Sequence, residues 1–300
     1  MQSPLRSAIL FLSRRQGLRR WLEGSRISRR LISRFIAGQS LDDAIAVARR
    51  LQAEGIAATL DHLGENVTTL DEARASLDAA LAALQALRQA GLASTLSIKL
   101  TQFGLDLSET ACRSNVSTLV EAAKNADRRV EIDMESSDYT SRTLEIVRDL
   151  HARYGNVRAV LQAYLHRSES DIDTLCRDGI PVRLCKGAYL EPAEVAYQDK
   201  SEVDSHYRRL MRRLLELGTD PAIASHDETM VREAMRFPPE RLEFQMLYGI
   251  RRNLQSELIR KGFRLRLYVP YGSAWYPYFM RRLAERPANV WFVLRNLVRN

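Results

Sequence analysis

From residue 40 to residue 270 the chain alternates, eight times, a short apolar run with a longer amphipathic one. The short runs are Ala57–Leu60, Thr95–Leu100, Arg129–Asp133, Val157–Ala163, Val182–Cys185, Ala222–Ser225, Leu242–Met246 and Leu265–Val269. Several are nearly all apolar, the pattern of strands covered on both faces. The longer runs repeat apolar residues with helical period. Ser40–Asp43 and Thr69–Glu72 read as capping boxes, and Ser108, Asp138 and Ser168 as N-caps. Gly55, Gly91, Gly155, Gly179, Gly218 and Gly262 fall where helices should stop. Strand, helix, strand with short connections demands parallel pairing through right-handed crossovers. Eight such units, about 27 residues each, suit a (β/α)8 barrel, an α/β fold of roughly 250 residues. A doubly wound open sheet is the alternative. It expects a glycine-rich phosphate loop after the first strand, and Leu60-Asp61-His62-Leu63-Gly64 is not one.

Charge divides the chain where the repeat begins. The net charge is +8, and residues 1–40 hold nine arginines against the single acid Glu23, so the remainder is formally neutral. The barrel is therefore not a polyanion binder, and no nucleic-acid partner is expected. We read residues 1–39 as a basic helical arm and 40–300 as one barrel domain. Trp21, Leu18, Leu22, Ile32, Phe35 and Ile36 interleave with the arginines at roughly helical spacing. That pattern fits an arm packed on the barrel, or peripheral contact with the inner face of the cell membrane. The apolar run Ala8–Leu12 is too short for a signal-peptide core and is followed by arginines, so a cytoplasmic protein is expected. Cys112, Cys176 and Cys185 lack metal-ligand spacing and suit a reducing compartment; no metal is expected.

Catalytic groups of such barrels sit at the C-terminal ends of strands. Polar groups recur there: Lys99, Asp133-Met134-Glu135, Gln162, Arg183 with Lys186-Gly187-Ala188-Tyr189, Ser225-His226-Asp227, Glu243 with Gln245, and Tyr268. Unpaired charge inside a barrel is costly, so these groups must pair with each other or with a ligand. Pro277 can open a last helix, in which Tyr278, Arg281, Arg282 and Glu285 share one face. Adjacent arginines beside a tyrosine make a carboxylate clamp. The residues alone thus describe a barrel with a polar mouth and a cationic helix over a small anionic ligand. They do not name a cofactor, and Lys99 and Lys186 leave a Schiff-base aldolase open.

At these same positions the sequence resembles the proline dehydrogenase family, over about residues 36–300, and most closely its short monofunctional bacterial members. The carrying stretches are Ser97-Ile98-Lys99-Leu100-Thr101-Gln102-Phe103-Gly104-Leu105, Glu131-Ile132-Asp133-Met134-Glu135-Ser136, Leu161-Gln162-Ala163-Tyr164-Leu165, Val182-Arg183-Leu184-Cys185-Lys186-Gly187-Ala188-Tyr189, Glu243–Gly249, Tyr268–Gly272 and Tyr278–Glu285. The resemblance implies FAD over the barrel mouth and oxidation of L-proline to Δ1-pyrroline-5-carboxylate by hydride transfer to flavin N5. Asp133 and Arg183 match active-site residues. Met134, Gln162, Arg183, Lys186, Gly187, Ala188, Tyr189, Ser225 and His226 match cofactor-binding positions. Lys99, Arg281 and Arg282 match a trio gripping the substrate carboxylate, and Tyr268 and Tyr278 match aromatics around its ring. Tyr268 is also the reason to expect proline over hydroxyproline. A membrane quinone as electron acceptor and a separate pyrroline-5-carboxylate dehydrogenase downstream are implied in the same way. One departure is Asp227, where the family often has Asn; an acid suits a helix cap there better than a phosphate contact.

Overall fold

The computed structural model describes residues 34–64, 66–276 and 278. Most of the arm, and Arg281, Arg282 and Glu285, lie outside the described residues. The eight expected strands all form: β1 Ala57–His62, β2 Thr95–Ile98, β3 Val130–Ile132, β4 Val157–Gln162, β5 Val182–Cys185, β6 Ala222–Ala224, β7 Glu243–Leu247 and β8 Arg264–Tyr271. They close into one barrel in sequence order, with every neighbouring pair parallel. The open-sheet alternative is thereby excluded.

The helices are α1 Leu41–Ala53, α2 Leu70–Gln89, α3 Glu109–Asn125, α4 Thr140–Tyr154, α5 Ser168–Arg177, α6 Lys200–Leu217, α7 Glu228–Ala234 and α8 Arg252–Arg260. The last seven each follow one of β1–β7. Helix α1 precedes the barrel and packs on β1 and β8, covering the flank where a helix after β8 would otherwise lie. Phe35 and Ile36 are buried just before it, and the Ala37 amide donates to the Pro270 carbonyl at 2.9 Å. With that flank filled, the chain after β8 is free to turn towards the barrel mouth, and Tyr278 is buried there.

Local signals work where their geometry is complete. Ser40 forms the full capping box with Asp43, and Ser108 caps α3. At α2 the box is displaced by one residue: Thr69 accepts from the Glu72 amide, but Glu72 reaches back to the Thr68 amide at 2.7 Å. Asp138 does not cap; it lies inside a 3-10 turn, Ser137–Tyr139, that leads directly into α4. Ser168 does not cap either. Its hydroxyl donates to the Gln162 carbonyl at 2.6 Å, tying α5 to the end of β4. Gly155 takes the left-handed stop conformation, whereas Gly218 is extended, so α6 ends without one.

Candidate active site

The barrel interior is built on charge rather than on aliphatic layers alone. Glu131, pointing inward from β3, is fully buried and ion-paired with Arg183 of β5, with Arg158 of β4 at 3.5 Å and with Arg266 of β8 at 3.8 Å. Glu243 of β7 pairs with Arg158 at 2.9 Å and Arg266 at 3.0 Å. Thr59, Thr95 and Gln245 donate the remaining hydrogen bonds to Glu131. Burial alone would raise the Glu131 pKa, but the guanidinium groups of Arg183, Arg158 and Arg266 hold it well below the usual carboxylate range. Buried carboxylates survive only with this degree of compensation.

Two residues beyond Glu131, just past the end of β3, Asp133 stands at the barrel mouth. One of its oxygens accepts from Arg183 at 2.7 Å and from the Ser97 hydroxyl at 2.8 Å; the other accepts from the Tyr268 hydroxyl at 2.7 Å. Lys99 lies 3.7 Å from it. Asp133 is therefore an organising node, with both oxygens engaged by neighbouring donors. Tyr268 is shaped by the same contacts: burial, then the Asp133 carboxylate, push its hydroxyl pKa well above the usual value. Its ring lies under the Arg183 guanidinium, 5.6 Å from the ring centre.

Lys99 is anchored from the opposite side by Asp61, at 3.2 Å. Asp61, next to last in β1, is 1% exposed and keeps one carboxylate oxygen without a hydrogen-bond partner among the described residues. Burial raises its pKa, and Lys99 opposes that shift only in part.

After β5 the chain runs through Lys186–Tyr189. Gly187 has φ of +108°, and a Cβ there would collide with the Tyr164 ring, so only glycine fits. Lys186 is held by Asp204 of α6 and by Asp227, at 2.8 Å from the latter. Asp227 caps α7 through the Thr229 amide, as expected. On the far side, the His226 Nε2 accepts from the Leu247 amide at 2.9 Å, which places the proton of a neutral ring on Nδ1.

These groups surround a single cavity of about 750 Å³ at the C-terminal mouth. Lys99, Asp133, Met134, Gln162, Arg183, Lys186, Gly187, Ala188, Tyr189, Ser225, His226, Tyr268 and Tyr278 all line it. Every described residue expected at the site is thus brought together; Arg281 and Arg282 lie outside the described residues. Sequence reasoning missed other lining residues, among them Asp61, Cys185, Glu228, Leu247 and Arg251. Asp61 carried a readable signal, a carboxylate closing the first apolar run. Arg251 carried none, because its position depends on a left-handed backbone turn. The Cys185 thiol is pushed up to about 11 by burial, which makes it a poor nucleophile. Among the described residues no acidic, histidine and cysteine groups cluster as a metal site.

The model of the proline dehydrogenase family matches residues 44–295. Proline dehydrogenase 1 of Bacillus subtilis (strain 168) is 40% identical, the match covering 98% of this chain and 99% of that one. Proline dehydrogenase of Deinococcus radiodurans is 39% identical over 90% of each. Among solved structures, proline utilization A of Bdellovibrio bacteriovorus, inactivated by N-propargylglycine, superposes with a TM-score of 0.77 at 26% identity. That match covers 85% of this chain and 32% of the other, so the present chain spans about a third of that larger protein. Sequence and barrel geometry agree: the chain belongs to the proline dehydrogenase family, oxidoreductases that act on the CH–NH group of proline.

Proposed function

We propose that the cavity holds FAD and L-proline together and that the chain's residues position one against the other. The observation that supports this most is the convergence of all the described expected residues on one cavity. The cavity also fits a flavin chemically. Gln162 is buried and keeps its amide oxygen without a partner among the described residues; a flavin ring offers the N–H that such an acceptor requires. The cavity volume lies within the ordinary range for organic ligands. Gln162, Met134 and Arg183 would hold the ring, and Lys186–Tyr189 with Ser225 and His226 the remainder. When bound, FAD supplies the hydride acceptor.

The protein's own part is binding and orientation. Lys99, with Arg281 and Arg282, grips the substrate carboxylate, and Tyr268 and Tyr278 enclose the ring. Fixing the ring this way holds the C–H beside nitrogen at attack distance. The amine must be neutral for that bond to break, so its proton leaves beforehand. The product is Δ1-pyrroline-5-carboxylate, which a separate dehydrogenase would oxidise. A Schiff-base role for Lys99 or Lys186 is disfavoured because each sits among carboxylates rather than in the apolar pocket that activates such lysines.

The test is optical. The purified protein should be yellow, absorbing near ~450 nm as flavins do, and should bleach when proline is added without oxygen. A colourless preparation that cannot be loaded with FAD rejects the cofactor; a lysine adduct trapped by borohydride returns the aldolase. Reoxidation by a membrane quinone, with the basic arm resting on an anionic surface, completes the reading. No helix among the described residues is long and apolar enough to cross a membrane, so contact through the arm would be peripheral.

A further inference from the structure

The cavity has two walls, each pairing cations with carboxylates. On the β1–β3 side Asp61, Lys99 and Asp133 form the compact set already described. On the β5–β7 side stand Lys186 and a residue to which nothing so far gives a role, Arg251.

The position of Arg251 is built in. Strand β7 ends at Leu247, and the chain reverses through Tyr248–Arg251 into α8. Gly249 lies so close to the Arg34 carbonyl that a Cβ would overlap it. Arg251 itself has φ of 54° and ψ of 49°, left-handed backbone that is unfavourable for most residues with a Cβ, routine for glycine and tolerated by asparagine. The turn thus carries an arginine where its backbone would prefer a glycine. The guanidinium is held against the cavity wall by two acceptors, the His226 carbonyl at 3.1 Å and the Glu228 carboxylate at 2.6 Å. Two of its five N–H groups meet those acceptors, which leaves donors for a ligand.

Both cations on this wall share one arrangement. Glu228, the partner of Arg251, has a second cation in Arg232 at 2.7 Å. Asp204, a partner of Lys186, has a second cation in Lys200. Asp227, the other partner of Lys186, also accepts from the Thr229 amide at 3.0 Å. Each carboxylate therefore stays satisfied if the cavity-side cation turns inward to an anion. Separating an ion pair is costly where it leaves a charge alone; here Glu228 keeps Arg232 and is half exposed, Asp204 keeps Lys200, and Asp227 keeps the Thr229 amide.

We propose that Arg251 is a second cation, beside Lys186, for the diphosphate bridge of the dinucleotide cofactor. The assignment rests on the FAD reading above. A guanidinium suits this ligand because its planar fork matches two phosphate oxygens at once, while Lys186 acts as a point charge. The β1–β3 wall is left to the substrate, so carboxylate and diphosphate would occupy opposite sides of one cavity.

The experiment is equilibrium dialysis of the full chain against FAD and, separately, riboflavin, which lacks phosphate. Arg251→Asn removes the guanidinium while keeping a residue that tolerates the left-handed turn. FAD affinity should fall about 10- to 100-fold, the range for one charge-assisted contact, with riboflavin affinity unchanged within about twofold. Arg251→Lys, which restores charge without the fork, should recover part of the loss. Arg251→Gly, relaxed at this φ, serves as the second neutral variant should the asparagine protein not fold. Equal weakening of both flavins would mean that Arg251 only shapes the turn, and unchanged FAD affinity would remove it from the site; either overturns the assignment. Wild-type protein that binds neither flavin overturns the cofactor reading itself.

Discussion

Glu131→Gln tests whether the charged layer inside the barrel holds the site in place. The change keeps the shape but replaces a carboxylate oxygen with an amide donor that faces other donors. Glu131 lies 3.5 Å from Arg158 and 3.8 Å from Arg266, besides its contact with Arg183. At an effective dielectric of about 20, each of these last two distances corresponds to about 4–5 kcal/mol of attraction, against a desolvation cost of several kcal/mol per ion. Removing one partner of a buried set typically costs about 3–5 kcal/mol. Glu243 and Asp133 remain to pair with Arg158, Arg266 and Arg183, so the lower end applies, about 3 kcal/mol. Urea unfolding at pH 7 should show this as a lower midpoint at unchanged slope. The pH dependence gives a second check. Because the folded-state pKa lies below the ordinary value of 4.5, the stabilisation is fully present above that value and is lost as pH falls towards the lowered one. The gap between wild type and variant should therefore be widest near neutrality and narrow below about pH 4.5. A difference under about 1 kcal/mol, or a gap independent of pH, would refute the claim that Glu131 is a stabilising ionised centre.

Two further outcomes concern the ends of the chain. Arg281→Met or Arg282→Met should raise KM for proline strongly, since losing one desolvated charge pair costs about 2–5 kcal/mol; an unchanged KM in steady-state assays removes these arginines from carboxylate binding. Deleting residues 1–30 should weaken sedimentation with anionic liposomes in a salt-dependent way, and equal binding by the shortened chain would end the membrane role of the arm.

The barrel was legible because its strands are nearly all apolar and its helices are periodic, and that information is local. Caps were less so. Ser168 lies at the start of a helix, but its hydroxyl is taken by the Gln162 carbonyl, and a single sequence does not reveal competition from a distant strand. The strand-end residues were legible through the rule that barrels present chemistry at one end, and the family resemblance then supplied their roles. Asp61 could have been found by the same rule. Glu131 was visible as an acid two residues before Asp133, on the same inward face by strand alternation, but its three arginine partners come from three other strands. Arg251 could not be found, because nothing in a sequence marks a non-glycine residue that will take a positive φ.

The charge pattern also bounds what Arg183 can contribute. Burial disfavours its cationic form, and Glu131 and Asp133 more than restore it, raising its pKa. The guanidinium is thus permanently ionised, but its charge is balanced by two carboxylates. What it offers a ligand is fixed N–H directions and a stacked tyrosine below, rather than net positive potential. Preorganised donors of this kind cost nothing to reorient during reaction. Asp133, saturated by Arg183, Ser97 and Tyr268, is likewise a fixed acceptor rather than a spare base. Lys99 brings one cation, but Asp61 and Asp133 already stand against it. A mouth compensated in this way has little net attraction for a free carboxylate. The uncompensated charge that selects one is then expected from the arginines at 281 and 282, on which substrate affinity should chiefly depend.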